Sequence, residues 1–391
     1  MKRRSRVLLV LCVTLLIALL PTLLALPQFF DARTNTVVPG KLIAVSAEAK
    51  ALHAKLRIVD LHDDLLLWNR DPLREYARGH TDVPRLLQGH TSLQVFSAVT
   101  KTPRGLNYDS NTGDSDNITL LAVLERWPVK TWGSRTQRAL YQARRLRDAA
   151  SRSHDSLTII TSARELAAFL RKPNVGTWAL GSMLAIEGLH ALDGLLANVD
   201  TLYAAGYRMM GLTHFFDNEV AASAHGVSKD GLTLLGREVV RRMEALRITI
   251  DLAHLAPKAI DEVLSMVTRP VVVSHTGVQA TCPGPRNLTD DQIKRIAANG
   301  GLIGIGYWDA AVCEVGARST ARAMRHVATI AGVQHVALGS DFDGATRVPF
   351  DASQLVQMTQ ALRDEGFTDD EIRGIMGENA IRFLQANLPP Q

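Results

Sequence analysis

The stretch Ile58-Val-Asp-Leu-His62-Asp-Asp64 is an apolar run that ends in a histidine, with a carboxylate two residues further on. In extended backbone, alternate side chains share a face, so His62 and Asp64 can point at one spot. An imidazole nitrogen and a carboxylate oxygen are both ligands for zinc and similar metals. One His-x-Asp pair says little by itself. Later apolar runs, however, also stop on Glu187, His214, His254, His275 and Asp341.

Working outward from 57–62, the spacing predicts further strands at 93–99, 178–187, 207–214, 248–254, 270–275, 301–307 and 335–341. Helical patterns alternate with them, at 45–56, 118–127, 135–152, 193–205, 230–246, 257–267 and 318–332. Capping boxes are readable in Ser162-Ala-Arg-Glu165, Thr289-Asp-Asp-Gln292 and Thr368-Asp-Asp-Glu371. Residues 102–117 are polar and read as a long loop. Near-continuous apolar strands are expected of a parallel sheet covered on both faces. Eight strands in this rhythm predict a (β/α)8 TIM barrel. A doubly wound open sheet is the alternative, weakened because no Gly-x-Gly-x-x-Gly follows the first strand.

The 391 residues are 46% hydrophobic and 21% charged, which suits one large domain. Of the net charge of +5, four charges come from Lys2, Arg3, Arg4 and Arg6. The remainder is close to neutral, with no basic stripe interleaved with aromatics, so nucleic acid is not an expected partner. Residues 7–26 carry no charge, and their length matches a bilayer crossing. The preceding basic residues keep the N-terminus cytoplasmic and the bulk exported, to the periplasm or the extracellular side. Because no clean small-x-small site follows, an uncleaved anchor fits better than a cleaved signal. The expected organisation is therefore an anchor over 1–26, a linker over 27–44 and the barrel over 45–391. Cys12 lies in the apolar segment. Cys282 and Cys313 remain, and in an oxidising compartment they either pair or stay as separate thiols.

In a (β/α)8 barrel the C-terminal strand ends share one mouth, where active sites lie. Asp64 and Glu187 offer two negative ligands there, and His62, His254 and His275 three neutral ones. That set suffices for two divalent ions if Glu187, from the strand between the others, bridges them. A single-metal site with fewer ligands is the alternative. In Gly339-Ser-Asp-Phe-Asp343-Gly344, Asp343 and Gly344 suit a turn better than Asp341 does. The eight remaining histidines, at 53, 80, 90, 154, 190, 225, 326 and 335, read as surface or packing residues.

The motifs together resemble the membrane dipeptidase (renal dipeptidase) family of zinc peptidases. The matching stretches are Asp60-Leu-His62-Asp-Asp64-Leu, Ile186-Glu187-Gly-Leu-His190, Leu212-Thr-His214, Ile250-Asp-Leu-Ala-His254, Ser274-His275, Pro285-Arg286-Asn287 and Gly339-Ser-Asp341-Phe-Asp-Gly344. The resemblance implies a (β/α)8 enzyme with two zinc ions per chain that hydrolyses dipeptides. It implies His62, Asp64, His254 and His275 as ligands and Glu187 as bridge. By the same resemblance His214 orients substrate, Arg286, followed by Asn287, binds the substrate carboxylate, and Asp341 is the acid/base. Cys282 and Cys313 fall where relatives carry a disulfide. Departures are Asp63, where relatives often have Asn, and Leu61, where they carry a small residue. The segment 304–308 matches only loosely, and 100–135 is not aligned. Another binuclear amidohydrolase, acting on N-acyl amino acids, cyclic amides or lactones, and a non-catalytic anchored barrel are the rival readings. The oligomer stays open, a homodimer being one compatible state.

Overall fold

Eight parallel strands close into a ring: β1 (Ile58–Asp63), β2 (Thr91–Val99), β3 (Leu180–Glu187), β4 (Tyr207–Gly211), β5 (Thr249–Asp251), β6 (Val272–Thr276), β7 (Leu302–Ile305) and β8 (Val336–Leu338). The computed structural model describes Thr14 and residues 25–391. Each strand pairs with the next, and β8 returns to β1 through Leu338 opposite Asp60. The barrel expectation holds, and the open sheet is excluded by that closing pair. A short accessory strand, Leu157–Ile159, takes the edge of β3 below Leu184, where pairing with β4 begins.

Val59, Leu93, Met183, Met209, Val272, Leu302 and Ala337, from seven of the strands, belong to one buried apolar cluster. Side chains from around a ring meet only in its interior, so the barrel is packed rather than hollow. Ile381 and Leu384 of the C-terminal helix Asn379–Asn387 join that cluster. The outward faces of the strands, such as Leu184 and Ile186, pack with the helices in a second, larger cluster.

Helix starts follow their sequence signals. Ser46, Ser134, Ser162, Thr233, Thr289 and Thr368 each accept a backbone N–H from the first turn they precede. The reciprocal capping box forms at Thr289 and at Thr368. At Ser162 it does not, because Glu165 turns to the Thr161 backbone instead. The helix expected over 193–205 is shorter, Asn198–Ala204, because Asp193 adopts a left-handed turn and its carboxylate caps the helix Arg135–Arg152.

The expected anchor falls largely outside the described residues. Among the described residues no helix is long and apolar enough to cross a membrane. Residues 27–44 are more than a tether. Thr36–Val37 pairs in parallel with Arg347–Val348, beside the loop that follows β8. Asp31 is buried and lies 3.1 Å from Arg70 and 2.8 Å from Arg78. Fully buried Arg70 also reaches Asp343 at 2.5 Å. Asp343 accepts from the His80 backbone and the Thr81 hydroxyl, both at 2.7 Å. Burial pushes its carboxyl up, but Arg70 and His80 outweigh that and hold it below the usual carboxylate range. Asp343 thus pins the mouth loop to the chain after β1 and, through Arg70, to Asp31 ahead of it, a larger role than a turn position.

Candidate active site and metal centre

His62 and His275 lie within β1 and β6, and Glu187 is the last residue of β3. Asp64 follows β1 directly. His214, His254 and Asp341 were expected at strand ends, but each sits three residues beyond one, in the following loop. His254 and Asp341 reach the mouth with φ of +62° and +60°. A left-handed backbone costs a non-glycine residue about 1 kcal/mol or more, so the surrounding loop must impose it. Hydrogen bonds supply that constraint. Thr213 Oγ1 donates to the His254 carbonyl at 3.0 Å, and Thr346 Oγ1 donates to the Asp341 carbonyl at 2.8 Å. Close packing helps as well: a side chain at Gly339 would strike the Ser274 carbonyl at 2.0 Å.

The other four candidate ligands gather around Glu187. Its Oε1 lies 3.0 Å from His254 Nε2, 3.2 Å from His275 Nε2 and 3.6 Å from His62 Nε2. His62 Nε2 is 3.6 Å from Asp64 Oδ1, and the Nε2 atoms of His254 and His275 are 3.1 Å apart. Tetrahedral bonds of about 2.0–2.1 Å place ligand atoms about 3.3–3.4 Å from one another. Both groups, His62/Asp64/Glu187 and Glu187/His254/His275, have edges near that length. Buried His62 Nε2 and Asp64 Oδ1 have no hydrogen-bond partner. Burial first, then neighbouring carboxylates, pushes Asp64 and Glu187 well above the usual carboxylate range. Burial first, then cationic and imidazole neighbours, pushes His254 and His275 well below theirs. A bound cation satisfies both sets at once, since it stabilises carboxylates and needs neutral imidazoles. The donor set therefore fits a metal.

A third possible ligand group, His62/Asp251/His275, has a different explanation. Ser274 Oγ donates to Asp251 Oδ2 at 2.5 Å and lies 2.8 Å from His275 Nδ1 and 3.3 Å from His62 Nδ1. The serine has one hydrogen, and Asp251 receives it. Both Nδ1 atoms must then donate, which leaves each Nε2 as a lone pair aimed at Glu187. Asp251 and Ser274 are thus a brace behind two candidate ligands.

The remaining residues face the same space. His214 Nε2 is 3.4 Å from Glu187 Oε2. Asp341 Oδ1 is 3.9 Å from His62 Nε2, and burial pushes its carboxyl up to about 7. Arg286 is buried, lies 4.6 Å over the Trp308 ring, and leaves its Nη1 without a partner. Asn287 does not face the mouth. Its amide donates to the carbonyls of Cys282 at 2.7 Å and Ala310 at 2.9 Å. Cys282 and Cys313 form a disulfide with Cα atoms 5.3 Å apart, so the loops after β6 and β7 are joined twice.

Residues 46–388 match the profile of the membrane dipeptidase family, peptidase family M19. The chain belongs to that family. As one of its metallopeptidases it is a peptide-bond hydrolase, and the clustered imidazoles and carboxylates are compatible with the metal this class requires. An uncharacterised dipeptidase of Schizosaccharomyces pombe is 29% identical over 354 residues, covering 84% of this chain and 80% of the relative. An uncharacterised protein of Klebsiella pneumoniae, encoded in the region 5′ of pqqA, is 32% identical over 222 residues, 53% of this chain and 82% of that one. Among solved structures, a metallopeptidase of family M19 described as dipeptidase AC superposes with a TM-score of 0.71 at 22% identity, over 85% of this chain and 99% of its own. A Rhodobacter sphaeroides metallopeptidase holding a phosphinate mimic of L-Ala-D-Ala superposes with a TM-score of 0.68 at 22% identity, over 85% and 99%. These two share the fold.

Several site residues escape sequence reading. Asp251 and Ser274 stand beside His254 and His275 in the matching motifs, but nothing in one sequence separates a bracing Asp or Ser from any other. Trp308 lies in the loosely matching segment. His225 is buried, stacks 4.5 Å from Phe215 and lies 5.3 Å from the His254 ring. It follows no strand and gave no signal.

Proposed function

We propose that this chain is a zinc-dependent dipeptidase, exported and held at the membrane by residues 1–26. The observation that carries the reading is the convergence of His62, Asp64, His254 and His275 on Glu187, with buried donor atoms left unpartnered. His62 and Asp64 would hold one zinc ion and His254 and His275 the other, with Glu187 shared between them. When bound, such a pair supplies a Lewis acid and a water that ionises near neutral pH.

The protein's own groups divide the remaining work. Asp341, with its carboxyl near 7, can take a proton from the attacking water and return it to the leaving amine. His214 is kept neutral, by burial first and then by His225 and Arg286, and orients the scissile carbonyl. The orphaned Nη1 of Arg286 is a donor for the substrate's terminal carboxylate. Arg286 Nη2 lies 3.0 Å from His254 Nε2, which supports a carboxylate site one residue from the bond to be cut and so a preference for dipeptides over longer chains.

The test is a panel of dipeptides, including some with a D-residue at the C-terminal position, on the zinc-loaded full chain, alongside tripeptides, lactones and cyclic amides. Hydrolysis of dipeptides with close to two zinc ions per chain is expected. A zinc-loaded chain that cleaves lactones or cyclic amides and no dipeptide would refute the reading.

A further inference from the structure

The mouth opens into a cavity of about 450 Å³. That is the size of a site for a drug-sized ligand and more than small side chains require. Its lining combines charged and apolar groups. The charged and imidazole groups, Asp64, Glu187, His214, His254, Arg286 and Asp341, all belong to the centre described above. The apolar part of the lining, here called the arm, comprises Phe30, Leu67, Trp68, Ile118, Leu121 and Leu124, with the uncharged polar Thr34, Thr102 and Asn117 also lining the cavity. Among the described residues lining that arm there is no charged side chain.

Two features show that this chain builds the arm beyond the family-matched span or away from the motifs. Phe30 and Thr34 line it from outside residues 46–388. The helix Asn117–Leu124, with the sequence Asn-Ile-Thr-Leu-Leu-Ala-Val-Leu, has no polar face. A surface helix ordinarily keeps one. Here Ile118, Leu121 and Leu124 line the cavity, while Leu120, also at its edge, is 54% exposed. The helix is fixed from behind. Its cap Asp116 lies 2.6 Å from Arg138, whose guanidinium also donates to the Thr100 carbonyl at 2.6 Å.

We infer that this arm binds a large apolar group on the acyl side of the scissile amide, either the side chain of a dipeptide's N-terminal residue or an N-linked acyl chain. The assignment rests on the proposed dipeptidase reading, in which Arg286 takes the carboxylate and so directs the other end of the substrate into the arm. Fully burying a leucine or phenylalanine side chain corresponds to about 10- to 100-fold in kcat/KM. A charged side chain entering the same arm loses its hydration without a partner.

The experiment measures kcat/KM of the full chain for Gly-Ala, Ala-Ala, Leu-Ala, Phe-Ala, Lys-Ala and Asp-Ala, and for N-octanoyl-alanine. Leu-Ala and Phe-Ala are expected to exceed Ala-Ala by about 10- to 100-fold, with Lys-Ala and Asp-Ala below it. Leu121→Asn and Leu124→Trp should each remove that gain while leaving Gly-Ala within about 2-fold. Calorimetric binding of the non-cleavable reduced-amide analogues to the metal-free chain should follow the same order. Preference for N-octanoyl-alanine over Phe-Ala would assign the acyl chain as occupant, and the reverse the side chain. Turnover of Ala-Ala with no rise for Leu-Ala or Phe-Ala, or with Lys-Ala equally good, overturns the inference and leaves the dipeptidase reading standing. Failure of every dipeptide overturns both.

Discussion

Ser274→Ala removes a single oxygen that three groups share. Asp251 Oδ2 loses its 2.5 Å donor, and His275 Nδ1 and His62 Nδ1 lose their acceptor. Leaving a buried carboxylate oxygen unmet costs about 1–3 kcal/mol, which the metal-free protein already feels. With about 2.1 cal/mol/K of unfolding entropy per residue, that is a fall in Tm of roughly 1–4 °C. The larger effect is on the ligands. Without the serine, neither imidazole is held in the tautomer that presents Nε2 to Glu187. Loss of such a brace typically weakens metal binding by about 10- to 100-fold. Competition with a chromophoric chelator measures zinc affinity directly, and Ser274→Thr, which keeps the hydroxyl, should recover most of it. A Ser274→Ala protein that binds zinc as tightly as the parent would refute the bracing argument.

Arg286→Ala should raise KM for dipeptides by at least about 30-fold with zinc content unchanged, since truncating one partner of a buried charge pair costs about 2 kcal/mol or more; steady-state kinetics with metal analysis checks this. Asp341→Asn should lower kcat by about 10²- to 10⁴-fold, the usual loss for a proton-transfer group, and near-normal turnover would reject that role. Replacing both Cys282 and Cys313 by serine opens a crosslink of sequence separation 31, worth about 4 kcal/mol in the chain-entropy model, and should lower Tm and raise KM together because the Arg286 loop is released. His53 is buried against Thr359, and burial with the nearby His90 pushes its imidazole down to about 4. Its contribution to stability is present above the unfolded value near 6.5 and is lost as pH falls towards 4, by up to about 3 kcal/mol, so His53→Gln should flatten the acid limb of a denaturant titration.

The barrel was legible because parallel strands covered on both faces leave long apolar runs, and because Ser and Thr caps mark the helix starts between them. The candidate ligands were legible for a chemical reason: few residue types bind metals, and they stand where those runs stop. The exact geometry was not. His254 and Asp341 enter the mouth from left-handed positions three residues past their strands, and strand periodicity carries no information about that. Asp193 ended an expected helix because its carboxylate serves another one, a contact 58 residues away in sequence. The bracing pair, Asp251 and Ser274, and the apolar arm were invisible for a common reason. Each depends on which side chains meet after packing, and neither residue type nor local pattern encodes it.

The buried Arg70 has a practical consequence for anyone handling this enzyme. Its guanidinium is shared between Asp343 on the mouth loop and Asp31 from the segment ahead of the family-matched span. Trimming the protein back to residue 46 would remove Asp31, one of the two carboxylates that contact this cation, and would also delete Phe30 from the pocket lining. A shortened form that still folds should therefore be handled as an altered catalyst, with its own selectivity and its own melting behaviour.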